Sequence, residues 1–108
     1  MEESAKKIIQ KLNSICAYFY IYKSSNSIQE GKELLSDIQQ FGNYILEIVE
    51  NNKEDKEWLQ VNDFMLECIN DYVSSIRNND AVLLIDTLDF GIRKLANMFI
   101  EEDGNEDE

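Results

Sequence analysis

Carboxylates are the commonest side chains here that could do chemistry. There are 22 Asp and Glu residues against 10 Lys and Arg, and there is no histidine. Two carboxyls can act as a general acid–base pair when one is desolvated and its pKa rises. Asp86 and Asp89 stand one helical step apart, and Asp63, Glu67 and Asp71 share a helix face. Asp86 is the best placed of them, beside Leu84, Ile85 and Leu88. In so acidic a chain such pairs arise by chance, and solvated or backbone-capping aspartates are the expectation. The missing imidazole removes the Ser-His-Asp and Cys-His nucleophile systems. It also removes the Glu-x-x-His pairs of di-iron bundles. Zinc lacks a donor set, with two cysteines on different predicted helices. No glycine-rich phosphate loop is present, and the acidic C-terminal stretch lacks the D-x-D-x-D-G order of a calcium loop. The expectation is therefore no catalytic, cofactor-binding or metal-binding residue, and a chain that is not an enzyme.

The spacing that positions these side chains is helical throughout. Ala5, Ile8, Leu12, Ile15, Phe19 and Tyr22 alternate by three and four, which predicts a first helix over about Glu3 to Lys23 facing a core. After Ser24-Ser25-Asn26-Ser27, a second helix is predicted from about Ile28 to Glu50, opened by a Ser27/Glu30 capping box. Its stripe is Leu34, Ile38, Phe41, Ile45 and Ile48. Gly42 lies inside it at about 1 kcal/mol relative to Ala, which points to close approach of a neighbouring helix. Asn52 is the expected N-cap of a third helix with the stripe Trp58, Val61, Met65, Ile69, Tyr72 and Ile76. Beyond Asn78-Asn79-Asp80, a fourth helix is predicted from about Ala81 to Glu101. Leu84, Leu88, Gly91, Leu95 and Met98 form one line on it, beside Ile85, Ile92 and Phe99.

Proline is absent, so nothing interrupts these long helices. Short links between long helices force antiparallel neighbours. The expected fold is all-α: an antiparallel up-down four-helix bundle over residues 1–101, with a disordered acidic C-terminal tail over 102–108. A pair of helical hairpins that dimerises to complete its core is the runner-up architecture. In the bundle, Cys16 and Cys68 fall at similar heights on diagonal helices, farther apart than the roughly 7 Å limit between disulfide-bonded Cα atoms. Both are expected as buried, free thiols.

One segment exceeds what a core needs. Ala17-Tyr18-Phe19-Tyr20-Ile21-Tyr22 covers the whole circumference of helix one, yet a bundle buries one face. Phe19 and Tyr22 fit the stripe. Tyr18, Tyr20 and Ile21 are then the outward residues, with Leu83 their counterpart on helix four. An aromatic-aliphatic patch on an acidic protein suits a protein partner.

The formal net charge of −12 argues against direct nucleic-acid or anionic-membrane binding. It suits solubility or a basic partner. No stretch reaches the roughly 18 apolar residues of a membrane span. The start, Met1-Glu2-Glu3-Ser4, lacks the plan of a secretory signal, so a cytoplasmic location is expected.

The stretch from Asn79 to Phe90, an Asn/Asp turn followed by a Leu-rich start and Asp86-Thr87-Leu88-Asp89-Phe90, resembles small helical proteins of unknown function from Gram-positive bacteria. Phe90 stands where that pattern has Tyr. More loosely, the size, acidity and helicity look like bacterial flagellar or secretion chaperones and toxin-immunity proteins. The expectation is a non-enzymatic adaptor or chaperone that binds a protein partner through the aromatic end, Tyr18, Tyr20, Ile21 and Leu83. The alternative is an inhibitor or immunity-type protein that blocks a basic site with its acidic faces, and a homodimer is a further option.

Overall fold

The computed structural model describes residues 2–22 and 27–100. The acidic segment 102–108 and the break at 24–26 lie outside the described residues. The described residues are all-helical, without a strand, and form four helical segments. The first is α1 (Glu2–Tyr22). The second is divided into α2 (Ser27–Lys32) and α3 (Leu35–Glu50). The third is α4 (Lys56–Arg77). The fourth comprises α5 (Ala81–Asp86), a π-helical turn (Thr87–Ile92) and α6 (Arg93–Asn97).

The core comes from the predicted stripes. Ile8, Leu12, Leu34, Phe41, Ile45, Met65, Leu84, Ile85, Leu88 and Ile92 are almost wholly removed from water. Burying each such side chain is worth roughly 1.5–3 kcal/mol relative to exposure. The α1 helix packs on α2, α3 and the fourth segment, while α4 packs on α3 and the fourth segment. Side chains locate these seams. Lys7 and Lys11 of α1 reach Asp37 of α3, at 3.7 and 2.6 Å. Trp58 and Phe41 both pack against the Phe99 ring.

Two boundaries differ from the sequence reading, and the start of the fourth helix agrees with it. The second helix is not continuous. Leu34 N–H donates to Gly31 O three residues back, at 3.0 Å, and the Tyr72 hydroxyl donates to the same carbonyl. Taking Gly31 O out of the regular ladder closes α2 at Lys32. The third helix is capped by Asp55, whose Oδ1 accepts from Glu57 N–H at 2.9 Å. Asn52, the expected cap, turns back to donate to Ile48 O at 2.7 Å. Asp80 caps α5 by accepting from Leu83 N–H at 3.0 Å. Asn79 before it adopts a left-handed φ of 55°, which Asn tolerates better than most residues.

The fourth segment departs most. At the π turn Arg93 N–H reaches back five residues to Leu88 O. The wider turn moves everything after it by about one residue, or 100° of helix phase. Met98, expected on the line with Leu95, is exposed just past the end of α6, whereas Phe99, expected on the line beside it, packs on the core.

The close approach expected at Gly42 occurs at Gly31 instead. A Cβ on Gly31 would stand 2.6 Å from Leu84 Cδ2, so the Leu84 side chain or one of the two helices would have to shift. A Cβ on Gly42 would meet Ile69 Cδ1 at 3.6 Å and Met65 Sδ at 3.8 Å, ordinary contacts.

Candidate functional site

The last two turns of α1 hold five large side chains in succession, and only Phe19 packs on the core. Tyr18 is 51% exposed, Tyr20 49%, Ile21 70% and Tyr22 66%. Tyr22 thus leaves the buried stripe to which its spacing assigned it. As the last residue of α1, it lies along Tyr18 one turn back, with ring centroids 4.7 Å apart. Such a pair is stabilised by ring–ring contact and stays open to a partner. Tyr18 also borders a groove of about 300 Å³ between α1 and α2, with Lys11, Ser14, Glu30 and Glu33 on its walls. In that groove Glu30 Oε1 is buried without a hydrogen-bond partner.

Tyr20 faces the fourth segment. Its hydroxyl donates to Asp89 Oδ2 at 2.9 Å. Arg93 grips the other carboxylate oxygen, with Nε and Nη2 each 3.0 Å from Asp89 Oδ1. Arg93 Nη1 then donates to Asn13 Oδ1 at 2.6 Å, back on α1. Two guanidinium nitrogens on one carboxylate oxygen fix geometry as well as charge. The four residues therefore clip α1 to the π turn and hold the Tyr20 ring in place. Donating to a carboxylate stabilises the protonated phenol, and the Tyr20 pKa is pushed up to about 12.

The clip acts as an anchor between α1 and the fourth segment. Asp89 is engaged on both oxygens, by Tyr20 on Oδ2 and by Arg93 on Oδ1. Asp86, the carboxyl best placed by sequence for desolvation, is exposed, as are Asp63, Glu67 and Asp71. Its apolar sequence neighbours Leu84, Ile85 and Leu88 point into the core, away from it. Cys16 and Cys68 are buried free thiols. Burial, reinforced by the nearby Asp89 charge, pushes Cys16 up to about 11. Burial likewise pushes Cys68 up to about 11. Thiols so shifted stay protonated at neutral pH and are poor nucleophiles. Gly91 in the π turn makes room for Cys68, since a Cβ there would stand 3.0 Å from its Sγ.

Leu83 does not join Tyr18, Tyr20 and Ile21. It is half-buried in a separate groove of about 240 Å³ between α4 and the fourth segment, with Phe64, Cys68, Thr87 and Phe90. The Asp80 cap sets the phase of α5, and that phase turns Leu83 toward α4. The most exposed apolar residues of the fourth segment are Val82 at 62% and Phe90 at 68%. The clip formed by Asn13, Tyr20, Asp89 and Arg93 was not apparent from sequence. Its one visible sign was the i, i+4 spacing of Asp89 and Arg93 on a helix.

Among the described residues, no helix is long and apolar enough to cross a membrane. The chain matches no protein-family model, no curated protein and no solved structure.

Proposed function

We propose that this chain is a non-enzymatic protein-binding adaptor or chaperone of the cytoplasm, built as an antiparallel up-down four-helix bundle, that holds a protein partner through the aromatic end of α1. The carrying observation is the exposure of Tyr18, Tyr20, Ile21 and Tyr22 together on the last two turns of one helix. Aromatic residues presented this way supply contact area with little side-chain entropy to lose, and they dominate binding hot spots. The clip on Tyr20 supports the reading, because a preorganised ring loses less freedom on binding. The bundle topology draws support from pairs that run in opposite directions: Asn13 with Arg93 and Tyr20 with Asp89, and Gly31 with Tyr72 and Gly42 with Met65.

The second reading, a blocker of basic sites, draws on the exposed row Asp63, Glu67 and Asp71 of α4. Salt separates the two. Binding through apolar rings persists at high ionic strength, whereas binding through exposed carboxylates fades.

The test is Tyr18→Ala combined with Ile21→Ser, with Leu83 left intact because it is half-buried. Partners are captured from the native cell by tagged protein and identified by mass spectrometry. We expect a stability change under about 1 kcal/mol, as for surface positions, and loss of the partner at both low and high salt. A loss of about 3–5 kcal/mol, the size seen for buried aromatics, would show that these rings serve the core. A stable variant that keeps every partner would reject the aromatic end and direct attention to the acidic faces.

A further inference from the structure

The face formed by α3 and α4 carries an apolar strip that the fold leaves uncovered. Leu35, Gly42 and Leu46 follow one line of α3, and Leu66, Ile69 and Val73 follow one line of α4. Leu35, Leu46, Leu66 and Val73 are exposed. Between the two helices the surface sinks into two grooves. One, of about 220 Å³, is walled by Leu35, Tyr72, Val73 and Ile76 and flanked by Lys32 and Arg77. The other, of about 420 Å³, contains Gly42, Leu46, Met65 and Leu66. Nothing within the chain requires Gly42 to be glycine, since a Cβ there meets its neighbours at ordinary distance. A glycine inside a helix, at the floor of an open groove, instead suits the approach of a helix from outside.

The charges on this face are arranged lengthwise. Lys32 and Arg77 mark one end, and neither makes an ion pair with a described residue. At the other end Glu47, Glu50, Asp55 and Glu57 outnumber Lys53 and Lys56. Gly42 touches Met65 in the sense that an added Cβ would meet its sulfur, so Phe41 and Leu66 stand at nearly the same level. Lys32 and Glu50 are equally far along the chain from Phe41, on opposite sides, and Arg77 and Asp55 are equally far from Leu66. A two-fold axis in the face, crossing the helices at that level, lays α3 on α3 and α4 on α4 in opposite directions. It brings the Lys32 and Arg77 end of each chain to the acidic end of the other, where Glu50 shares its charge with Lys53 at 3.0 Å.

We infer that this face binds a second copy of the chain in that antiparallel arrangement. The extent of the face sets the strength. The α3 helix is about 24 Å long, and two helices side by side span about 20 Å. That gives roughly 500 Å² per chain, or about 1,000 Å² in all, at the lower limit for a specific interface. The dimer is therefore weak and depends on concentration. It leaves the aromatic ends of the two chains at opposite poles, free of the interface, so the inference stands apart from what those ends bind.

The experiment is sedimentation velocity on the full chain, from low micromolar to hundreds of micromolar, at physiological salt. It compares wild type with Leu66→Glu, Arg77→Glu, the double reversal Arg77→Glu/Glu50→Arg, and Ile21→Ser. Wild type should pass from monomer to dimer. Leu66→Glu should remain monomeric, and Arg77→Glu should weaken association about tenfold. The double reversal should recover most of that loss, and Ile21→Ser should associate like wild type. Leu66 and Arg77 are exposed, and far-UV circular dichroism checks that each variant is folded. If Leu66→Glu unfolds, Arg77→Glu and its reversal decide the question. A monomer at every concentration overturns the inference. So does a dimer that survives Leu66→Glu and Arg77→Glu, or one abolished by Ile21→Ser.

Discussion

Replacing Gly31 and Gly42 by alanine, one at a time, should move stability in opposite directions. In a helix interior alanine is favoured over glycine by about 1 kcal/mol, largely because glycine has more freedom to lose on folding. At Gly42 the new methyl meets Ile69 Cδ1 at 3.6 Å and Met65 Sδ at 3.8 Å, so the whole preference is available. Gly42→Ala should stabilise the chain by about 0.5–1 kcal/mol. At Gly31 the methyl would lie 2.6 Å from Leu84 Cδ2 and 3.1 Å from Cδ1. Comfortable carbon–carbon contact is about 3.5–4.0 Å, so the overlap is about an ångström. Leu84 is wholly buried, so its side chain can move only against packed neighbours. Overpacking of that kind costs about 1–3 kcal/mol. The helix preference offsets little of it, because Gly31 is next to the end of a six-residue helix. A net loss of about 1–2 kcal/mol is expected. The two variants should then differ by roughly 2–3 kcal/mol, or about 10–20 °C in Tm for a domain of this size. Urea and thermal unfolding, followed by Trp58 fluorescence and far-UV circular dichroism at low protein concentration, measure the difference. If Gly31→Ala is as stable as wild type, or if both variants shift the same way, the reasoning from methyl contacts is refuted.

Alkali should destabilise the fold. Burial holds the Tyr72 phenol up to about 12, and Cys16 and Cys68 up to about 11, above ordinary values of 10.0 and 9.0. The folded chain keeps protons that the unfolded chain releases, so these groups contribute stability that is lost as pH rises from about 9 to about 12. Urea midpoints across that range should fall, and Tyr72→Phe should flatten the part above pH 10; a midpoint that rises with pH would contradict the burial of these groups. The thiols offer a separate check. A thiol-specific reagent should count two free thiols in the unfolded chain without reductant, and in the native protein both should react only through opening of the fold. Reaction at the rate of a solvent-exposed thiol would place Cys16 or Cys68 at the surface.

How far the sequence reached can be judged from particular residues. The spacing of Ala5, Ile8, Leu12 and Ile15, and that of Leu34, Ile38, Phe41 and Ile45, was enough to place these residues inside. Burial on one face of a helix is a local, periodic property, and a strip of sequence carries it whole. The same holds for the outward turn of Tyr18, Tyr20 and Ile21, because five large residues in succession cannot share one face. What the sequence could not carry was anything decided between segments. The second helix is broken because Tyr72, forty-one residues away, takes the Gly31 carbonyl. Gly31, rather than Gly42, is where helices meet closely, because Leu84 faces it. The fourth helix closes at Asn97 in tight i→i−3 turns, which leave Met98 exposed while Phe99 packs on the core. Leu83 faces α4 because of where the Asp80 cap sets the helix phase, and Tyr20 is held by Asp89 across the seam with the π turn. Periodicity fixes which side of each helix is apolar. Only packing decides which neighbour that side meets, at what height, and which backbone groups are drawn out of the helix to meet it.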